Sequence, residues 1–128
     1  MSLQYNRPFI AKVALLRGQA VILDTSVRGQ VDLPGGANAA VIGFAVNDAA
    51  IGQEVAIALV GTCKAIAGDT SISIGDYVTG EGTDGKVKKL IDDNVLFNAC
   101  GIALEDGDAE DQLIDILIVH GKSFTALS

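Results

Sequence analysis

The sequence predicts an all-β fold, a compact β-barrel or β-tulip-like single domain with pseudo-duplicated halves and at most one or two short helices. Three observations predict it. Val, Ile and Thr recur in short runs with period-two alternation. Fifteen glycines against two prolines supply tight turns between those runs. Four of the runs also return, in the same order, later in the chain.

The recurrence is seen element by element. Gly18-Gln19-Ala20-Val21 is matched by Gly75-Asp76-Tyr77-Val78, and Gly29-Gln30-Val31 by Gly85-Lys86-Val87. Ile42-Gly43-Phe44-Ala45-Val46 is matched by Cys100-Gly101-Ile102-Ala103-Leu104. A polar loop follows each of these blocks and leads to an alternating run, Val55–Gly61 or Ile114–Val119. The offset stays at about 56 to 60 positions, which order-preserving duplication explains and chance does not. Each half therefore reads as strand, turn, strand, longer loop, strand, loop, strand. Thr83-Asp84-Gly85-Lys86 is a hairpin signal, since Asp-Gly takes the positive φ angles of a type I′ turn, and Ser26-Val27-Arg28-Gly29 is its weaker counterpart. Pro34-Gly35-Gly36 marks a sharp loop. Asn47–Gly52 and Leu90–Leu96 are the two places where a turn or two of helix fits.

A chain of 128 residues fits one domain whose core needs neither metal nor disulfide. The body is read as residues 13–121, flanked by an N-terminal arm over 1–12 and a C-terminal tail over 122–128. The arm sets Arg7, Pro8 and Lys12 around Phe9 and Ile10. Net charge is −7 and only 5% of residues are aromatic, with no Trp, so the surface as a whole repels phosphate backbones and offers few stacking platforms. Nucleic acid is excluded as a partner on that ground. No apolar run reaches membrane-spanning length, and the N-terminus lacks the order of a signal peptide, which points to synthesis in the cytoplasm.

Each motif with a chemical reading also has a plain one. Gly80-Glu81-Gly82-Thr83-Asp84-Gly85 matches GxGxxG, but Lys86-Val87-Lys88-Lys89-Leu90 continues it as a return strand and Glu81 repels phosphate, so no cofactor is expected. Glu105-Asp106-Gly107-Asp108-Ala109-Glu110-Asp111 is rich in carboxylates yet lacks EF-hand spacing, and reads as a solvated turn rather than a calcium loop. His120 is the single histidine; Ser71, Ser73, Ser123 and Cys100 are the nucleophiles it could serve, none within a nucleophile elbow. Cys63 and Cys100 sit in apolar contexts without a CxxC pair and read as buried free thiols. Lys86, Lys88 and Lys89 suit either protection of a strand edge or pairing with an acidic partner.

With these residues in view, the chain resembles the small cement or decoration proteins that stud the outside of tailed-phage capsids. The likeness is carried by Ile74-Gly75-Asp76-Tyr77-Val78, the Asp84-Gly85-Lys86-Val87 hairpin, Cys100-Gly101-Ile102-Ala103-Leu104-Glu105, the strand Leu113–Val119 and the block Ile42–Gly61, across residues 12 to 121. None of these motifs is catalytic. The resemblance implies a β-barrel-like subunit, often trimeric, lying over junctions between major capsid protein subunits on the virion surface. A closed ring of three also protects exposed strand edges by pairing them. Tyr5, Arg7, Phe9, Ile10 and Lys12 are the expected capsid contacts, with Phe9 or Ile10 as apolar anchor of an added strand. Two rival readings stand beside this one: a small-ligand or glycan-binding module, weakened by the scarcity of aromatic faces, and a small hydrolase built on His120.

Overall fold

The computed structural model describes residues 4–35, 40–68, 71–90 and 99–120. Ten strands order them: β1 (Tyr5–Ala11), β2 (Ala20–Leu23), β3 (Gln30–Asp32), β4 (Gly43–Ala45), β5 (Glu54–Val60), β6 (Thr62–Ile66), β7 (Tyr77–Gly80), β8 (Val87–Lys89), β9 (Gly101–Ala103) and β10 (Leu113–Ile118). No described residue is helical; Asn47–Gly52 is a bent loop carrying the Leu15–Ala49 bridge, while Leu90–Leu96 lies mostly outside the described residues. No described helix is long and apolar enough to cross a membrane.

The duplication is physical. The first half closes a barrel in the order β1-β3-β2-β4-β5, and the second forms a sheet in the corresponding order β6-β10-β9-β7-β8. Every strand pairing of the second half has its twin in the first: β7 with β8 and β2 with β3, β7 with β9 and β2 with β4, β9 with β10 and β4 with β5, β6 with β10 and β1 with β5. Even loop bonds repeat. Arg17 N–H donates to Asp48 Oδ1 at 2.8 Å as Ile74 N–H does to Asp106 Oδ1 at 2.8 Å. Ala56 N–H donates to Asn47 Oδ1 at 3.0 Å as Asp115 N–H does to Glu105 Oε1 at 3.0 Å. The glycines shared by both halves sit where the backbone must turn left-handed: Gly18 and Gly75 at φ 92° and 90°, Gly29 and Gly85 at 79° and 76°.

The inner faces alternate as a pleated strand requires. Phe9, Ala11, Leu15, Val21, Val31, Ala45, Val55 and Ile57 fill the first barrel. Their counterparts Ala65, Ala67, Ile72, Val78, Val87, Ala103, Ile114 and Ile116 fill the second half.

The halves differ at one seam. In the first, Ile10 N–H donates to Gly29 O at 2.9 Å and β1 runs parallel to β3, closing the barrel. In the second, the seam survives only as the parallel Ala67–Val87 bridge. Below it, Ile66 N–H turns to Gly18 O (3.0 Å), and Ala20 N–H donates to Gly85 O (2.8 Å). A piece of the first half thus occupies the open seam of the second. With it goes the row Ala20, Phe44 and Ala58, which are cross-strand partners on the outer face of the first barrel and are packed in the core of the second half.

The residues expected as an N-terminal arm depart from that expectation. From Tyr5 to Ala11 they form β1, paired with β5 from Tyr5↔Val60 to Ile10↔Glu54. Among the described residues no strand pairs with the β3-side edge of β1 along Tyr5–Phe9, and Pro8 falls there, on the side from which Ile10 and Lys12 donate to β3 and its flank. A proline on that edge removes a donor that would otherwise invite another strand. The tail at 122–128 lies outside the described residues.

The turn at Asp84-Gly85 also differs from the type I′ expectation. Gly85 alone of the pair has positive φ, and Glu81 N–H closes the hairpin on Lys86 O at 2.9 Å while Asp84 Oδ1 accepts from Lys86 N–H at 3.2 Å.

Candidate functional site

The open edge of β1 borders a shallow groove of about 330 Å³ lined by Arg7, Phe9, Leu23, Ile42, Leu59, Val60 and His120. It forms because β1, β2 and β5 end at the same mouth of the barrel. Leu23 and Val60 are 47% and 57% exposed there, beside Tyr5 at 61%. Arg7 holds its guanidinium 5.3 Å from the Phe9 ring, so a cation sits at the rim of an aliphatic surface. His120 Nε2 lies 2.7 Å from Leu59 O; since a carbonyl only accepts, that nitrogen carries the proton in this contact.

The five expected contact residues therefore divide. Tyr5, Arg7, Ile10 and Lys12 are exposed on β1 or just beyond it. Phe9 is not: at 6% exposure it belongs to the barrel core, because alternation turns it inward with Ala11. It cannot serve as a surface anchor. Lys12 faces Asp24 and Asp32, each 3.7 Å away. The Ser26 hydroxyl and N–H, with Lys12 adding to them, hold the Asp24 carboxyl below its usual range.

The remaining motifs resolve into structure. The GxGxxG stretch is the β7–β8 hairpin. The acidic loop is tied from within: Lys86 Nζ lies 2.6 Å from Asp111 and 3.9 Å from Glu110, and Asp106 and Glu105 accept backbone N–H groups. Asp111 at φ 68° takes the place of Gly52 at 82° in the first half. Among the described residues no group of three or more His, Cys, Asp or Glu side chains is placed to hold a metal. Lys86 and Lys89, on either side of the β8 strand's centre, are turned to the chain's own carboxylates, Lys86 Nζ lying 2.6 Å from Asp111 and Lys89 Nζ 3.8 Å from Asp76. Among the described residues that line the groove there is no Ser, Thr or Cys; Cys100 is buried in the second half, and Ser123 lies outside the described residues.

Cys63 and Cys100 are free and buried. Burial pushes each thiol up to about 12, with Asp115 adding for Cys63 and Cys63 adding for Cys100. Since the thiolate is the reactive form, native protein at pH 8 is expected to resist alkylation at both positions, while guanidinium-unfolded protein reacts at both. Mass spectrometry after iodoacetamide treatment checks this, and rapid stoichiometric labelling of the native chain would contradict it.

A family model described as "Phage cement protein" matches residues 7–118. The chain belongs to the phage cement protein family. A search of curated proteins finds no match. Among solved structures, the crystal structure of the head fiber gp8.5 N base in bacteriophage phi29 is similar, with a TM-score of 0.70 at 21% identity over 92% of this chain and 96% of that one. At that identity the likeness is one of fold, and it extends across both halves of the cement protein. What sequence reasoning missed is the fifth repeated element. β1 and β6 correspond, and the signal was the Ile-Ala pair at Ile10-Ala11 and Ile66-Ala67.

Proposed function

We propose that the chain is a non-catalytic phage head decoration protein that binds the outer surface of the capsid as a homotrimer and bridges major capsid protein subunits. The observation that carries this reading is the cement family match over nearly the whole barrel-and-sheet body. A cement protein gains by touching several neighbours at once, since modest contacts linked on one rigid body combine through effective concentration by a factor of roughly 10²–10⁴. The β1 edge supplies one such contact: Tyr5, Arg7, Ile10 and Lys12 place two apolar groups and two cations on the rim of an acidic molecule. Its place in this reading is the virion surface.

Deletion of residues 1–10 is a poor test, because it removes a barrel strand. Point changes on the exposed face are the better one. Capsids of the encoding phage stripped of decoration are incubated with wild type or with the Tyr5→Ala/Ile10→Asp double variant and pelleted. Wild type is expected to co-sediment, and the variant to bind at least about tenfold more weakly with its circular dichroism unchanged. Equal binding of the two removes the β1 edge from the contact; absence of wild-type binding rejects the capsid reading itself.

A further inference from the structure

The duplication has left one interface half-used. In the first half, Ala20, Phe44 and Ala58 form a row across β2, β4 and β5, fully buried against the second half. Their structural counterparts are Tyr77, Ile102 and Leu117, again direct cross-strand partners and hence on one face of β7, β9 and β10. Val78, Ala103 and Ile116 alternate with them and point inward. Among the described residues none covers this second row: Tyr77 and Leu117 are each 39% exposed, and Leu104, counterpart of Val46 beside the buried row, is exposed as well. A tyrosine, an isoleucine and two leucines side by side on one sheet face form an apolar patch, and patches of this kind mark association surfaces.

The receiving side has a counterpart too. The buried row packs in a cluster with Cys63, Ala65, Cys100 and Ile118 of the second half. The residues in those positions of the first half are Arg7, Phe9, Ile42 and Leu59, and all four line the open groove described above, with Leu23 and Val60. Larger side chains and the Ile10–Gly29 bond close part of this socket, so what remains is an aliphatic seat without strand edges.

We infer that the row of Tyr77, Ile102 and Leu117 in one copy seats on the groove of Leu23, Ile42, Leu59 and Val60 in a second copy. The contact repeats between chains the join that already exists between the halves of one chain. Its occupant is a second copy because the chain itself carries both unmatched sides of a joint it makes internally. Such a contact is head-to-tail, and rotation that closes it gives a ring. The inference deepens the trimeric part of the proposed function and rests on it, while capsid binding is independent of it.

Two variants test it, Leu117→Lys on the row and Val60→Lys on the groove, both at exposed positions. Sedimentation equilibrium of wild type is expected to give an oligomer and of each variant a monomer, with circular dichroism unchanged. An equimolar mixture of the two variants is expected to give a one-to-one dimer, because one copy retains a good groove and the other a good row. A symmetric interface would give no such rescue. Oligomers unchanged in both variants, or a mixture that stays monomeric, overturn the inference. So does a monomeric wild type at its highest soluble concentration; if that monomer still pellets with capsids, the cement reading stands without it.

Discussion

Phe44→Ala is expected to lower folding stability by about 3–5 kcal/mol, the range for truncating a fully buried phenylalanine, because the surrounding side chains cannot collapse into the space. Phe44 is completely buried and is the largest of the fully buried side chains. Its position raises the cost. It belongs to a β4 strand of the first half, yet its ring is packed in the core of the second, so it fastens the two repeats to each other. The bonds that flank it, Ile66 N–H to Gly18 O and Ala20 N–H to Gly85 O, are few and depend on the halves staying in register. Loss of the ring is therefore expected to lower the melting temperature by roughly 10–20 °C. Urea titration followed by circular dichroism measures the change, and a loss under about 1 kcal/mol would mean that the row is not what joins the halves. Tyr77→Ala or Ile102→Ala, at the equivalent positions, should cost the folded monomer far less, since those side chains keep water contact.

The same comparison shows what the sequence made legible. The glycines did most of it. Gly18, Gly29, Gly75 and Gly85 all require positive φ, and a turn that needs this keeps its glycine in both copies while strand residues drift. Alternation then placed β2 to β5 and β7 to β10, and four-element order exposed the repeat. β1 was harder to see because Tyr5, Asn6, Arg7, Pro8 and Ile10 are all exposed, so its inward face passes through Arg7 at the barrel mouth and only Phe9 and Ala11 mark the buried part. Two inward residues are too short a pattern to separate a barrel strand from a loose arm. The seam could not be read at all. Whether a barrel closes on itself or accepts a neighbour's backbone depends on the fit between Ile10 and Gly29 in one half and between Ile66 and Gly18 in the other, and the Ile-Ala pair is the same in both. The groove is likewise a product of closure: Leu23, Ile42 and Val60 lie far apart in the chain and meet only when the barrel mouth forms.

Gly43 carries the second large prediction, because the duplication supplies its own control. A methyl group at Gly43 would run into the carbonyl oxygen of Ala58 on the paired strand and stand 2.9 Å from Ile57 Cγ2. The obstacle is backbone held by the Phe44↔Ala58 and Ala45↔Ile57 register, so β4 and β5 must separate to admit it. Overpacking a core costs about 1–3 kcal/mol where side chains can shift, and more where a ladder must open. Gly43→Ala is expected to exceed about 3 kcal/mol and to drive much of the protein into the insoluble fraction. At the equivalent Gly101 the nearest atom is the tip of Ile116, Cδ1 at 2.8 Å, with Leu117 O at 3.2 Å and Val78 Cγ2 at 3.3 Å. A side-chain tip can rotate away, so Gly101→Ala should stay near about 1–2 kcal/mol. Parallel urea titrations of the two variants decide the matter. Equal losses would show that the halves pack their central strands alike, whereas the closed first barrel, drawn tight by the Ile10–Gly29 bond, should be the less forgiving of the two.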